Sequence, residues 1–300
     1  MGSQAHYKAP ASNGLELDLS DREFERFSRI IYETSRIALN DGKKELLRAR
    51  LGKILRRRGI GSFREYLALV EEDRTGEELT LLLDAISTNL TSFFREADHF
   101  RFVERTVLPQ LAAERKTKSD RKIRAWSAGC SSGEEAYSLA ISLLEALEGA
   151  AGWDIRLLAT DISTKVLAMA RNGLYSGDRV KTVSPQVVAR HFLPETGSDG
   201  RKLFRVAPAV RDLVTFGHLN LLEPYPFRGP FDFIFCRNVM IYFDKKTQET
   251  LVNGFHRYLA EDGYLFIGHS ESLNGVAHSF RYVQPSVYRK TGRASDGKKG

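Results

Sequence analysis

Four short segments of this 300-residue chain set polar or charged side chains directly after an apolar run. Gly129-Cys130-Ser131-Ser132-Gly133-Glu134-Glu135 follows Ile123–Ala128, Asp161 follows Ile155–Thr160, Asn220-Leu221 follows Leu213–Gly217, and Arg237-Asn238 follows Phe231–Cys236. A strand, a turn of small residues and a helix start form the place where open α/β sheets bind a ligand; Gly129 and Gly133 let backbone pass close to it. Ser131 stands where a dinucleotide fingerprint has its middle glycine. Two carboxylates, Glu134 and Glu135, would repel the pyrophosphate that usually sits at such a helix start. They suit a cationic donor without phosphate, such as S-adenosylmethionine with its ammonium and sulfonium. Alternatively, both glutamates could simply complement the helix dipole. Ser132 and Glu135 also have the S-x-x-E spacing of a capping box. Asp161 has the position of an acid that accepts from two ribose hydroxyls, or of an N-cap for the next helix. Asn220 and Leu221 offer an amide edge and an apolar face for adenine. Each segment alone is ambiguous; four successive strand ends with polar groups on one sheet edge are much less so.

Positioning these ends requires strands at Ile123–Ala128, Ile155–Thr160, Leu213–Gly217, Phe231–Cys236 and Tyr264–Gly268. Between them the spacing predicts helices at Glu134–Glu148, Thr164–Asn172, Pro185–His191 and Thr247–Leu259, which implies a parallel sheet covered on both faces. Residues 176–211 interrupt the alternation with Gly197, Gly200 and a β-like run Lys202–Val206, and read as an insertion with a small antiparallel piece. Before this part, residues 15–95 are helical in pattern, with apolar stripes Phe24/Phe27/Ile30/Ile31, Phe63/Tyr66/Leu67/Val70 and Leu79/Leu82/Leu83/Ile86. The polar stretch 114–122 reads as a linker. The expected organisation is a tail over 1–14, a helical domain over 15–95, the α/β domain with its insertion over 96–290, and a second tail over 291–300.

Lys and Arg number 45 against 38 Asp and Glu, a net charge of +7, and residues 41–60 alone carry +6 of it. The basic character therefore belongs to one segment, not to the surface at large. On a helix, Leu47, Leu51, Ile54 and Leu55 share one face, while Arg50, Lys53 and Arg57 lie within about 60° of each other on another. That stripe could grip an acidic partner helix, a phosphate backbone or an anionic membrane, or be a plain solvated face. Two cysteines, no apolar N-terminal run and no membrane-length apolar stretch exclude secreted and integral-membrane classes and point to the cytoplasm. The seven histidines show no metal-ligand spacing, so no metal is expected.

Three segments are long and irregular enough to carry a resemblance: Thr88-Asn89-Leu90-Thr91-Ser92-Phe93-Phe94-Arg95-Glu96, Trp126 to Ser138, and Phe235-Cys236-Arg237-Asn238-Val239-Met240-Ile241-Tyr242-Phe243. Gly268-His269-Ser270-Glu271-Ser272 adds a fourth. In these the chain resembles the chemotaxis receptor methyltransferases of the CheR type, S-adenosylmethionine-dependent protein-glutamate O-methyltransferases, over about residues 20–290. Ala136 departs from the proline that the family often has. The resemblance implies a Rossmann-like methyltransferase sheet, with a small N-terminal all-helical domain and a small antiparallel β-subdomain insertion. It implies that Asn89, Thr91 and Arg95 reach the cofactor, Glu135 takes its α-ammonium, Asp161 its ribose, and Asn220 and Leu221 its adenine. Arg237 and Asn238 would line the methionine end, with Arg95 and Tyr242 beside the transferred methyl. As alternatives, Arg95 could pair with Glu96 or Asp98, and Tyr242 could be core. The implied product is S-adenosylhomocysteine with a glutamate methyl ester. The implied partner is the acidic helical bundle of a chemotaxis receptor, met by Arg50, Lys53 and Arg57 of a monomer. The insertion resembles a subdomain that binds a receptor C-terminal peptide in some members, but its loop Pro194–Arg201 does not match the peptide-binding form. The resemblance also places Cys130 and Cys236 on neighbouring strands, with their sulfurs close. Competing readings are a methyltransferase acting on another protein or on nucleic acid, and a non-catalytic relative; the aromatic-proline loop of a base-flipping enzyme is missing after the fourth strand.

Overall fold

The computed structural model describes residues 18–291 except 88, 116, 118, 119 and 148–151. The expected first tail, all of the second but Thr291, Thr88, part of the 114–122 linker and the end of the helix predicted to Glu148 lie outside the described residues. The chain divides into two compact units: Met1–Ile30 with Leu39–Ile86, and Ile31–Ala38 with Ser87–Gly300.

The first unit is helical. Helix α1 spans Asp21–Ser35, with its last turn in the second unit; α2 spans Lys44–Arg58, α3 Phe63–Glu72 and α4 Glu77–Ile86. Local chemistry sets the starts. Ser20 and Glu23 form a reciprocal capping box, the Glu23 N–H on Ser20 Oγ (3.3 Å) and the Ser20 N–H on Glu23 Oε2 (2.9 Å). Ser62 caps α3 by accepting from the Glu65 N–H at 3.1 Å. Gly59 ends α2 in the left-handed conformation (φ 70°) that its missing Cβ makes accessible. The i, i+3, i+4 apolar positions Leu47, Leu51, Leu55, Phe63, Tyr66, Leu67, Val70, Leu82 and Leu83 are all buried.

In the second unit, α5 (Ala97–Phe102), a π-helical turn (Val103–Val107) and α6 (Leu108–Glu114) precede the sheet. There follow β1 (Lys122–Ala128), α7 (Glu134–Ala146), β2 (Asp154–Asp161) and α8 (Thr164–Asn172). The insertion then contributes β3 (Leu174–Ser176), α9 (Gly177–Val180), α10 (Pro185–His191), β4 (Phe192–Thr196) and β5 (Lys202–Val206). The chain returns through α11 (Pro208–Arg211), β6 (Val214–His218), β7 (Phe231–Cys236), α12 (Lys245–Tyr258), β8 (Leu259–Ile267), β9 (Phe280–Gln284) and β10 (Val287–Lys290).

The main sheet has the order β6-β2-β1-β7-β8-β10-β9, and β3-β5-β4 form a separate antiparallel sheet. Strands β6, β2, β1, β7 and β8 are parallel; β10 and β9 extend the sheet as an antiparallel hairpin that the sequence did not announce. Alternation along the strands sends Ala125, Phe233 and Phe235 into one core layer and Trp126, Ile234 and Cys236 into the other. Cys130, in the loop just after β1, packs in the first layer and Cys236 in the second, both as free thiols. The strand order runs outward from β1 in both directions, and the carboxyl ends of β1, β2 and β7 are where open sheets of this kind bind their ligands.

Candidate functional site

The loop after β1 is shaped by its glycines. Gly129 has φ 88°, and a Cβ there would lie 2.4 Å from Val239 Cγ2. Gly133 (φ 97°) is itself the N-cap of α7, so the capping box expected from Ser132 and Glu135 does not form. Ser132 Oγ instead donates to Glu134 Oε2 (2.7 Å), and Glu135 turns to other partners. Its Oε1 accepts from Ser127 Oγ at 2.7 Å and its Oε2 from Arg237 Nη1 at 3.3 Å. The two adjacent acids are thus not equivalent: only Glu135 joins the cluster at the strand ends.

Arg237, 1 % exposed, is the hub of that cluster. It donates from Nε (3.2 Å) and Nη2 (2.9 Å) to Glu96 Oε2 and from Nη2 to the Arg95 carbonyl, and it lies against the rings of Phe100 and Phe235. Burial pushes the Glu135 carboxyl above the usual carboxylate range, with Arg237 and Ser127 offsetting only part of the shift. Burial acts on Glu96 in the same sense, but the Arg237 guanidinium and the His269 N–H hold it below its ordinary value. Glu135 is therefore a carboxyl whose desolvation is incompletely compensated by its neighbours, and an incoming ammonium group would add to that compensation.

Asp161, 8 % exposed, accepts the Ser131 N–H on Oδ2 (2.8 Å) and the Ser163 N–H on Oδ1 (2.9 Å). It is not the N-cap of α8; Ser163 is. The segment bearing Asn89, Thr91 and Arg95 is tied to the loop by Ser131 Oγ donating to the Asn89 carbonyl at 3.2 Å. Phe94 (φ 52°) and Glu96 (φ 57°) flank Arg95 in the left-handed region, which is rare for bulky residues and is held here by the Phe94 N–H bond to Ser138 Oγ (2.9 Å). Arg95, 38 % exposed, donates from Nη1 to the Leu90 carbonyl (2.9 Å), and its Nε lies 4.0 Å from Glu96 Oε1. The Asn220 amide is committed to the Thr34 carbonyl (2.8 Å) and to Glu223 (3.1 Å), while Leu221 packs on the second core layer. Tyr242 is half-buried, and its carbonyl accepts the Ala38 N–H at 3.2 Å.

Two acids escape the sequence reading although both stand in quoted motifs. Glu96 anchors Arg237. Glu271 accepts the N–H groups of Asn238 (2.9 Å), Gly268 (2.6 Å) and Ile241 (3.2 Å), pinning the turn after β7; burial raises its carboxyl despite these donors. Glu96, His99 and His269 bring possible ligand atoms within 4.8 Å of one another, a convergence that sequence spacing did not show. Glu96 Oε2 there already serves Arg237 and the His269 N–H (3.2 Å). Burial and then the Arg237 charge push the His99 imidazole down to about 3, so it is neutral at physiological pH.

In the helical unit, Lys53 and Arg57 are exposed, but Arg50 is not simply a surface cation. Its Nη1 donates to the Ile86 (2.6 Å) and Ala85 (3.2 Å) carbonyls and satisfies the end of α4.

An open sheet with this strand order, an acidic loop after β1 and an acid at the end of β2 fit a methyltransferase fold that binds S-adenosylmethionine. The sequence profile of the CheR methyltransferase SAM binding domain matches residues 89–289, and that of the CheR methyltransferase all-alpha domain matches residues 22–87. The chain belongs to the CheR methyltransferase family. The chemotaxis protein methyltransferase of Borreliella burgdorferi is 41% identical, covering 92% of this chain and 96% of its own. Those of Salmonella typhimurium (42%; 91% of each chain) and Escherichia coli (41%; 91% and 92%) are similarly alike.

Proposed function

We propose that this protein transfers the methyl group of S-adenosylmethionine to glutamate side chains of chemotaxis receptors, yielding γ-methyl esters and S-adenosylhomocysteine. The observation that carries the reading is Glu135, held at the strand ends by Ser127 and Arg237, together with the partly exposed guanidinium of Arg95, within a chain of this family. The donor supplies an electrophilic methyl: as the carboxylate oxygen bonds to that carbon, the carbon–sulfur bond breaks and its electron pair neutralises the sulfonium. The acceptor glutamate, with a reference pKa near ~4.3, is ionised at neutral pH, so the chain need not hold a general base. Its own residues bind and orient. Glu135 receives the α-ammonium, Asp161 the ribose hydroxyls, and the 220–221 turn the adenine. Asn89, Thr91 and Asn238 complete the cradle. Arg237 keeps Glu135 in place, and Arg95 with Tyr242 guides the acceptor carboxylate. Labelled methyl transferred to a receptor fragment is expected to be released by mild base; base-stable label would defeat the ester assignment.

The exposed cations Lys53 and Arg57 are the proposed contact with an acidic receptor bundle, acting from a cytoplasmic monomer. Because Arg50 also satisfies carbonyls of α4, it is left intact in the test. Lys53→Glu/Arg57→Glu is expected to lower receptor methylation about tenfold at low salt, from two reversed contacts of roughly 0.5–1 kcal/mol each. Binding of S-adenosylhomocysteine should stay unchanged in the same titration; a parallel loss of both would reject separate surfaces. No described helix is long and apolar enough to cross a membrane.

A further inference from the structure

The insertion β3–β5 does more than decorate the sheet. Glu134 is fully buried, and its only formal countercharge among the described residues is Arg179 of α9, whose Nη1 donates to Glu134 Oε1 and to Ser132 Oγ (2.8 Å). Tyr175 of β3 donates its hydroxyl to the Ser132 carbonyl at 2.7 Å. A Cβ on Gly133 would meet that hydroxyl at 2.9 Å, so the loop and the insertion are in closest contact there. The insertion also holds the second cofactor segment. The rings of Tyr175 and Phe192 meet Phe93 edge-on at 5.0 and 5.3 Å, two residues before Arg95. Glu134 and Glu135, adjacent in sequence, thus look to different partners: one to the insertion, the other to Ser127 and Arg237.

We propose that Arg179 is a positioning residue for the cofactor, fixing the loop 131–135 through its ion pair with the buried Glu134. The inference rests on that loop being the donor site. Without Arg179, Glu134 is a buried carboxylate with one hydroxyl partner, and it recovers solvation by pulling the loop out of place. Glu135, the next residue, then loses its alignment although none of its own contacts has been removed. The insertion is thereby coupled to donor affinity and not only to whatever it touches outside.

The test is calorimetric titration of the full chain with S-adenosylhomocysteine, with a thermal melt of each variant. Arg179→Met is expected to weaken binding about tenfold or more, the scale set by an unpaired buried carboxylate. In turnover, KM for the donor should rise more than kcat falls. Arg179→Lys should recover much of the affinity. Arg179→Met/Glu134→Gln should recover most of it, because no uncompensated charge remains. A folded Arg179→Met with wild-type affinity overturns the proposal, even if its melting temperature is lower. Should that variant not fold, Arg179→Gln carries the same two outcomes. Failure of the wild-type protein to bind would instead overturn the donor-site reading itself.

Discussion

Glu135→Gln is expected to bind S-adenosylhomocysteine about 10–100-fold more weakly than the wild type while melting at the same or a higher temperature. The substitution keeps shape and one acceptor for Ser127 but removes the charge that an ammonium group would pair with. A hydrogen bond to a charged partner contributes roughly 1.5–3 kcal/mol, and each 1.4 kcal/mol is a factor of ten. The stability half follows from the direction of the shift. Burial raises the Glu135 carboxyl in the folded protein. A raised acid favours folding below its unfolded pKa, and that contribution is lost as pH rises through the folded value. The ionised form is therefore a cost to folding, and removing the charge does not weaken the fold. Acid should mimic the variant. As pH falls through the raised value, wild-type affinity declines, whereas that of Glu135→Gln stays flatter. Calorimetric titration across pH measures both; equal pH profiles would remove Glu135 from the ammonium site.

Arg237→Met should be the most destabilising single change in the site. The guanidinium is buried and bridges Glu96 and Glu135. Its loss leaves Glu96 and Glu135 facing each other with only the more distant, partly exposed Arg95 as countercharge, at a cost of about 3–5 kcal/mol. Stability would be read by urea denaturation. Burial alone would raise Glu96, and Arg237 reverses that to hold it below its ordinary value. A depressed acid contributes stability above its unfolded pKa and loses it as pH falls through the folded value. The variant forfeits this contribution, so its deficit should be largest near about pH 7 and shrink toward about pH 4, where the carboxyls take up protons. A deficit independent of pH would mean that Arg237 acts through packing on Phe100 and Phe235.

The strand ends were legible because their chemistry is local. A period-2 apolar run, a small-residue turn and an acid are adjacent in sequence, and Phe231–Cys236, Thr164–Asn172, Pro185–His191 and Lys202–Val206 have the bounds expected of them. What escaped depends on partners far along the chain. Arg237 meets Glu96 across 141 positions, and Arg179 meets Glu134 across 45. Ser132 and Glu135 had the spacing of a cap, yet close packing against Ala170 and Tyr175 put Gly133 at that position and drew each side chain elsewhere. The β9–β10 hairpin went unread because Phe280–Gln284 lies at the sheet edge and is exposed at three of its five positions, leaving little apolar signal. Arg50 belongs on the polar face of α2 by periodicity, but only the fold brings the α4 carbonyls to it.

The two thiols sealed into opposite core layers give the protein a built-in pair of reporters. Desolvation raises both well above the ordinary thiol value, so neither reacts in the closed molecule. Modification must wait for the surrounding layer to open. Pulsed alkylation with mass mapping would therefore time the loosening of each half independently: Cys130 for the layer over α7, Cys236 for the layer over α12. Saturating donor is expected to slow labelling at Cys130 more than at Cys236, since Cys130 sits in the very loop that would clasp it.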